Sequence, residues 1–326
     1  MLELKVYNSA GVFDELEAEW NRLLAESENN RIFLTWEWQS TWWDVYQPGQ
    51  LVVITVRSPE GVLIGIAPWF IDSQGTVKII GCEDVTDYLD LIAHRDCSPY
   101  VYEAIATYLK DHRRELNLCN IPGSSPTLEY FPEYLNYQGF DVEVEQQEVC
   151  PVIDLPDSFE EYLASLDKKQ RHEVRRKIRR AGDAEWYIVG PEHDLDRETE
   201  IFLQLMRSAA REKAEFLEDE QNLRFFRRII PVFKERGWLQ LSILSISDAP
   251  AAAYLNFDYH NEILVYNSGL DLEAARGLSP GIVLLARLIE DAIKRGRERF
   301  DLLRGNEEYK YRMGGKDTEI FKLRAY

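Results

Sequence analysis

The segment Arg276–Gly281 has the residue types of an anion-binding site. Ser279 is a good N-cap residue and Pro280 suits the first helical position, so we predict that a helix begins here. The first N–H groups of a helix have no partners within it, and the helix dipole is positive at this end. Gly281 has no side chain, which lets the backbone approach a ligand such as a pyrophosphate. The alternative is an ordinary capped helix that follows a loop.

Two nearby carboxylates are candidates for acid–base chemistry. Asp87 and Asp90 lie across the predicted boundary of a strand. A carboxyl whose pKa is perturbed by burial can act as general base on an acceptor hydroxyl or amine. The chain is rich in acidic residues, so the alternative is that both carboxylates lie on the surface.

Four tryptophans lie within eight residues, at positions 36, 38, 42 and 43. Aromatic rings of this size can stack on sugars, but on a helix they more often fill a hydrophobic core. Trp38 is therefore a candidate for substrate binding, with core packing as the alternative.

One short segment is strongly basic in a chain that is acidic overall. The chain has 326 residues, of which 57 are acidic and 38 basic, and its net charge is −19. Residues 168–180 hold eight basic residues and one acid, a local net charge of +7. Arg171, Arg175 and Arg179 repeat at helical spacing, and guanidinium groups bind phosphate or carboxylate through paired hydrogen bonds. An anionic acceptor such as a nucleotide-linked sugar explains this segment, and so does ion pairing with the chain's own acids.

Composition and spacing exclude several classes of protein. The net charge of −19 argues against an overall nucleic-acid binder. The five histidines show no paired spacing, so we predict no metal. The first ten residues do not resemble a signal peptide, and no apolar run approaches the ~20 residues of a membrane helix. We expect a soluble cytoplasmic protein without membrane insertion, with its four cysteines (Cys82, Cys97, Cys119 and Cys150) reduced.

The elements that must position these residues follow a similar order in both halves of the chain. The first half reads as helices, four strands, helix, strand, helix and strand. The second half reads as helices, a three-stranded meander, the helix Ser279–Arg295, a strand, a short helix and a last strand. This order predicts an α/β fold with mixed sheets in two similar domains, 1–150 and 151–326, joined at Pro151–Pro156.

The region from Ile263 to Arg304 resembles the GNAT superfamily of acyl-CoA transferases. In that family a strand with a splayed end leads into an Arg/Gln-x-x-Gly-x-Gly/Ala loop that holds the CoA pyrophosphate. The matching stretch here is Arg276-Gly-Leu-Ser-Pro-Gly281, with serine in place of the middle glycine. The resemblance implies tandem GNAT-like domains and acetyl-CoA or another acyl-CoA as co-substrate. It implies a donor site made of Asn267, Ser268, Arg276, Gly277, Ser279, Gly281 and Arg304.

A narrower resemblance is to the CelD/BcsL-type acetyltransferases, GNAT relatives associated with cellulose and exopolysaccharide synthesis. It rests on Phe300–Arg312, on the basic segment, and on three landmarks of the first half: Phe33–Trp38, Gly65–Pro68 and Asp87–Asp90. This resemblance implies that Tyr309, a phenol of ordinary pKa, protonates the leaving thiolate, while Lys310 binds an acyl oxygen or phosphate. Asp301 is the further catalytic candidate of this segment. Packing is the alternative for Tyr309, and a structural hydrogen bond is the alternative for Asp301.

Three functions follow as hypotheses. The leading one is direct acyl transfer from acyl-CoA, bound by the second half, to a small polar or sugar-linked acceptor in the cleft between the halves. Asp87 would act as base, Trp38, Asp90, Arg171 and Arg175 would bind the acceptor, and strand N–H groups would stabilise the oxyanion. The second is a Fem-type transferase that uses aminoacyl-tRNA, because that family shares the tandem layout. The third is a non-catalytic glycan-binding or scaffold protein. The sequence leaves the oligomeric state open.

Overall fold

The computed structural model describes residues 2–82, 85–182, 184–271 and 277–326. The helices are α1 Gly11–Ala25, α2 Trp36–Tyr46, α3 Ser98–Asp111, α4 Pro126–Tyr137, α5 Phe159–Ser165, α6 Lys168–Arg180, α7 Leu195–Ala209, α8 Arg211–Phe216, α9 Glu220–Glu235, α10 Pro280–Lys294 and α11 Glu308–Arg312. The strands are β1 Glu3–Tyr7, β2 Gln50–Arg57, β3 Leu63–Ile71, β4 Val77–Ile79, β5 Ile92–Ala93, β6 Leu116–Pro122, β7 Val142–Asp154, β8 Glu185–Ile188, β9 Leu239–Ile246, β10 Ala249–Tyr259, β11 Glu262–Leu270, β12 Arg299–Asp301 and β13 Lys316–Ala325.

The chain divides into two compact units. The first holds the residues up to Val149 together with Thr318–Tyr326, and the second holds Cys150–Asp317. The final residues lie in the first unit because β13 pairs antiparallel with β6, for example at Phe321 and Ile121.

The first unit has a mixed sheet in the order β1-β2-β3-β4-β6-β13, with β5 paired to β3. Neighbouring strands are antiparallel except β4 and β6, which are parallel. The Thr35 side chain caps the start of helix α2, where it accepts a hydrogen bond from the Trp38 N–H. Trp42 and Trp43 of α2 pack on Phe70 of β3 at ring-centroid distances of 5.8 and 6.2 Å.

The second unit has a mixed sheet in the order β7-β12-β11-β10-β9-β8, in which only β11 and β12 are parallel. Ala252 and Tyr254 of β10 face a core formed with α5, α6 and α10. Phe257 faces the other side, since successive side chains of a strand alternate, and it packs on Phe233 of α9. Helices therefore cover both faces of this sheet, which confirms the predicted α/β class with mixed sheets.

The oxidation state of the cysteines differs from the expectation based on the sequence. Cys82 and Cys119 are joined by a disulfide, with their Cα atoms 5.9 Å apart. Cys97 and Cys150 are free. The expectation of four reduced thiols is therefore wrong for the first pair. The two partners are 37 residues apart in the sequence, and only the fold brings them together.

Candidate functional site

Strand β11 separates from β12 partway along its length. The two strands pair only from Glu262–Leu264 to Arg299–Asp301. β11 then continues to Leu270, paired with β10. A bulge lies at Tyr266, because Leu255 of β10 opposes Asn267 while Asn256 opposes Val265. The edge of β11 beyond Leu264 is thus free of β12, and we call this half of the strand the open end of β11.

The open end of β11 carries two of the predicted donor-site residues, and a lysine that the sequence did not single out binds both. The Nζ of Lys213 on α8 lies 2.9 Å from Asn267 Oδ1, 2.6 Å from the Ser268 carbonyl oxygen and 3.2 Å from Ser268 Oγ. Burial lowers the pKa of Lys213 to about 8; the charge of Glu307 raises it and that of Lys310 lowers it further. An amine that titrates close to neutral pH therefore lies at the open end.

The turn after β12 is held by two of the predicted catalytic residues. Asp301 Oδ1 accepts a hydrogen bond from the Leu303 N–H at 2.8 Å. The buried Lys310 ammonium donates to the carbonyl oxygens of Leu303, Arg304 and Gly305 at 2.9, 2.7 and 3.2 Å. A carboxylate oxygen of Glu307 also lies 3.0 Å from this ammonium, so groups of the protein itself already surround it. This arrangement favours a structural role for Lys310 over the predicted contact with an acyl oxygen or phosphate.

Tyr309 lines a cavity, but its acidity differs from the prediction. The cavity is about 400 Å³ and lies among α6, α10 and α11, where Lys169, Lys177 and Arg312 also line it. Burial and the charge of Glu307 raise the pKa of Tyr309 well above its ordinary value. The predicted ordinary pKa is therefore wrong. Tyr309 keeps its proton throughout the neutral range and is a weaker acid than a free phenol.

The start of α10 also differs from its predicted geometry. Ser279 occupies the N-cap position, but its backbone is left-handed (φ 52°, ψ 55°) and its side chain caps nothing. The prediction of a conventional serine cap is therefore wrong. A left-handed residue is most easily a glycine, which is the residue that the family pattern has here.

An arginine of α6 approaches the loop before α10. A Cβ placed on Gly277 would lie 3.5 Å from Nη2 of Arg180. Gly281 leaves room for Leu270 at the open end of β11, since a Cβ there would come within 2.8 Å of that side chain. Arg276 lies outside the described residues. The backbone N–H groups at the start of α10 and the Arg180 guanidinium together suit an anion.

Most of the cations of α6 are available to a ligand. Arg175 pairs with Glu160 at 2.6 Å and Arg176 with Glu173 at 2.7 Å. Within the described part of the chain, no hydrogen bond or ion pair engages the side chains of the other six, which are Lys168, Lys169, Arg171, Lys177, Arg179 and Arg180. Arg175 and Arg179 also line a second cavity of about 500 Å³. Pairing with the chain's own acids therefore accounts for only part of this basic helix.

The remaining predicted residues lie in the first unit. Trp38 is fully buried, packs edge-to-face on Phe33 with ring centroids 4.8 Å apart, and donates to Thr86 Oγ1 at 3.2 Å. This placement favours the core interpretation over sugar stacking. Asp87 is largely buried, which rules out the surface alternative for it.

Asp90 is a buried carboxyl within a hydrogen-bond network. Its oxygens accept hydrogen bonds from Asn29, Ser125, Thr127 and the Leu91 N–H. Burial raises its pKa to about 6, while these hydrogen bonds act in the opposite direction. The perturbed pKa agrees with the sequence argument, but the carboxyl is fully occupied by neighbouring groups of its own unit.

Similarity to known proteins identifies the class of the second unit. Residues 168–311 match the family model described as an acetyltransferase (GNAT) domain. This range contains α6, the open end of β11, the start of α10 and Tyr309. No curated protein matches the sequence.

The fold of the whole chain is similar to three solved structures. FemX is 11% identical, with a TM-score of 0.64 over 98% of this chain and 96% of its own. L-PGS from Bacillus licheniformis is 12% identical, with a TM-score of 0.59 over 96% and 91%. A tandem GNAT protein from the clavulanic acid biosynthesis pathway is 13% identical, with a TM-score of 0.53 over 99% and 98%. At these identities the likeness concerns the fold, which is that of two tandem GNAT-like domains.

The chain thus contains a GNAT domain, and this domain match together with the fold supports an acyltransferase. Within the described residues, no group of three or more histidine, cysteine, aspartate or glutamate side chains is arranged to hold a metal ion. In the same part of the chain, no helix has the length and apolar character needed to cross a membrane.

Two residues of the site escaped the sequence analysis. Lys213 lies 54 residues before Asn267 in a short helix without a motif. Arg180 was visible only as one of eight cations. Neither position has a local signal, because its importance comes from contacts between elements that are distant in the sequence.

Proposed function

We propose that this protein is an acyl-CoA-dependent N- or O-acyltransferase whose second unit binds the donor. The observation that carries the proposal is the separation of β11 from β12 within the segment that matches the GNAT domain, a segment that also contains Tyr309 and its cavity. The separated strand edge offers backbone groups to a thioester, and the cavity offers room for the donor or acceptor.

The residues present suit an acyl-CoA. The start of α10 and Arg180 bind the pyrophosphate, because both offer donors to an anion. Backbone N–H groups at the open end of β11 polarise the thioester carbonyl and stabilise the developing oxyanion. Tyr309 holds its proton until the thiolate leaves, since its raised pKa keeps the phenol neutral. The chain performs the transfer directly, with no covalent intermediate on a side chain.

The acceptor proposed here is a small polar molecule, and the CelD/BcsL resemblance favours a polysaccharide-related one. Lys169, Lys177 and Arg312 give the Tyr309 cavity a positive lining, although Glu173 also contributes to it. An acceptor with phosphate or carboxylate groups, such as a nucleotide-linked sugar, complements this lining. The assignment of the acceptor to the first unit stays a prediction.

A second candidate is a transferase that uses aminoacyl-tRNA. The unpaired cations of α6 favour it, and FemX shares the fold. The net charge of −19 opposes it. Binding of charged tRNA with an affinity that falls steeply as salt increases would support this candidate, because such binding releases counterions from phosphate.

Thiol release from acetyl-CoA tests the proposal. Amino sugars and nucleotide-linked sugars serve as acceptors, and mass spectrometry identifies the acylated product. Tyr309→Phe removes the proton donor while keeping the ring, so we expect a loss of about 10- to 100-fold in rate. If the wild-type chain binds charged tRNA but releases no thiol with any acceptor, the aminoacyl-tRNA candidate replaces the proposal.

A further inference from the structure

Lys213 lies where an acyl-transfer reaction would need a proton acceptor. Its Nζ contacts Asn267 and Ser268 at the open end of β11, and it is close enough to Glu307 to be affected by that charge. Glu307 itself lies 3.0 Å from the Lys310 ammonium in the turn after β12. The Lys213 amine is thus close both to the separated edge of β11 and to the segment that follows β12.

The hydrogen-bond partners of Lys213 suit both the charged ammonium and the neutral amine. The ammonium form can donate to Asn267 Oδ1, to the Ser268 carbonyl oxygen and to Ser268 Oγ. The neutral amine keeps two donors for the first two oxygens, and its lone pair can accept the hydroxyl proton of Ser268. A group that gains and loses a proton during turnover needs such neighbours, because neither state then leaves a buried polar atom unpaired.

The other polar groups at this site are less suited to accept a proton. Tyr309 is held neutral by its raised pKa, and the Lys310 ammonium is bound to three carbonyl oxygens. Asp301 accepts a backbone hydrogen bond within the turn. Of the polar residues at this site, Lys213 is the one whose deprotonated form is accessible near neutral pH.

The charges around Lys213 come from several elements. The segment before α11 contributes Glu307 and α11 contributes Lys310. β11 contributes the uncharged Asn267 and Ser268. On α8 itself, Arg211 pairs with Glu215 at 2.6 Å. On α7, which packs against α8, Arg207 is exposed.

We propose that Lys213 accepts the proton of the attacking acceptor, an assignment that rests on the proposed acyl-CoA function. The neutral Lys213 amine takes a proton from the acceptor amine or hydroxyl. The acceptor nitrogen or oxygen then bonds to the thioester carbon, and the carbon–sulfur bond breaks. The thiolate takes the Tyr309 proton. The Lys213 ammonium afterwards returns its proton to solvent and Tyr309 is reprotonated, so that transfer of the acyl group is the only net change.

Competitive labelling of the full chain with acetic anhydride between pH 6 and 11 tests the titration of Lys213. Peptide mass spectrometry follows Lys213 and Lys5 in the same sample, because a hydrogen bond to Glu15 raises the pKa of Lys5 above its ordinary value. We expect half-maximal reactivity of Lys213 near pH 8 and that of Lys5 at clearly higher pH. Glu307→Gln removes a negative charge that raises the pKa of Lys213, so this substitution should move the titration midpoint of Lys213 to lower pH. Equal midpoints for the two lysines would overturn the assignment.

Two substitutions separate proton transfer from positioning. Lys213→Met removes both the charge and the amine, whereas Lys213→Arg keeps a cation and its donors but cannot titrate near neutral pH. We expect both variants to lose about 100-fold in thiol release from acetyl-CoA, with water or glucosamine as acceptor, and to lose the rise in rate near pH 8. The assignment fails if Lys213→Arg keeps the wild-type rate and pH profile. It also fails if wild type and Lys213→Met release thiol at the same rate, or if neither releases any.

Binding of CoA distinguishes failure of this inference from failure of the proposed function. We expect wild type and Lys213→Met to bind CoA with similar affinity, because Arg180 and the start of α10 bind its pyrophosphate. If both bind but the Lys213 midpoint matches that of Lys5, only the assignment of Lys213 is overturned. If neither binds, the proposed function fails as well.

Discussion

At the scale of single residues, Asp90 shows burial and hydrogen bonding acting in opposite directions on one carboxyl. Burial dominates and raises its pKa from 3.8 to about 6. The folded chain therefore holds the proton more tightly than the unfolded chain. This contribution to stability is fully present below the unfolded pKa and is lost as pH rises through about 6.

Asp90→Asn tests this contribution, because asparagine does not titrate. We expect the difference in free energy of unfolding between wild type and Asp90→Asn to shift by about 1–2 kcal/mol between pH 5 and pH 8. The shift should lower the stability of wild type relative to the variant at the higher pH. Urea unfolding of both proteins at the two pH values measures it, and a constant difference would contradict the raised pKa.

Lys310 stabilises the turn after β12, so its replacement should affect stability. Lys310→Met keeps the length of the side chain but leaves the carbonyl oxygens of Leu303, Arg304 and Gly305 without their donor. We expect a loss of about 2–4 kcal/mol in the free energy of unfolding. Lys316→Met, at an exposed position, is the control and should change stability by less than about 0.5 kcal/mol. Similar unfolding curves for the two variants would contradict a structural role for Lys310.

At the scale of elements, the sequence placed the start of α10 correctly but not its local geometry. Pro280 marked the first helical residue, as predicted. The left-handed backbone of Ser279 has no signature in a serine-proline pair, since serine there normally indicates a side-chain cap. Only the GNAT family pattern, which has glycine at this position, indicates a left-handed backbone here.

The geometry of Ser279 predicts an unusual response to substitution. Ser279→Gly should raise the free energy of unfolding by about 0.5–1 kcal/mol, because glycine adopts the left-handed conformation without steric cost. Ser279→Ala should change it by less than about 0.5 kcal/mol, whereas loss of a true serine cap costs about 1 kcal/mol. Thermal unfolding of the two variants measures both effects. A clear loss of stability in Ser279→Ala would show that the hydroxyl caps α10 after all.

At the scale of the whole molecule, hydrophobic periodicity and turn residues were sufficient to predict two α/β halves with mixed sheets. They were not sufficient for pairings between distant segments. Strand β13 pairs with β6 across about two hundred residues, and Cys82 meets Cys119 only in the fold. The open end of β11 depends on where pairing with β12 stops, and the contact of Lys213 with Asn267 depends on how α8 packs. Local sequence carries none of this information.

Charge is distributed unevenly along the chain. A net charge of −19 disfavours most anionic partners, yet residues 168–180 alone carry +7. This helix is part of the segment that matches the GNAT domain and lines the Tyr309 cavity. The basic helix is therefore the part of the molecule where an anionic donor or acceptor is expected.

Isothermal titration of acetyl-CoA into the full chain tests the central claim most directly. Arg180→Ala removes the guanidinium beside Gly277, and Arg176→Ala is the matched control on the same helix, because Arg176 already pairs with Glu173. We predict one binding site in wild type, an affinity about tenfold weaker in Arg180→Ala, and little change in Arg176→Ala. The absence of binding to wild type at about millimolar acetyl-CoA, or equal affinity in all three proteins, would contradict the proposed donor site.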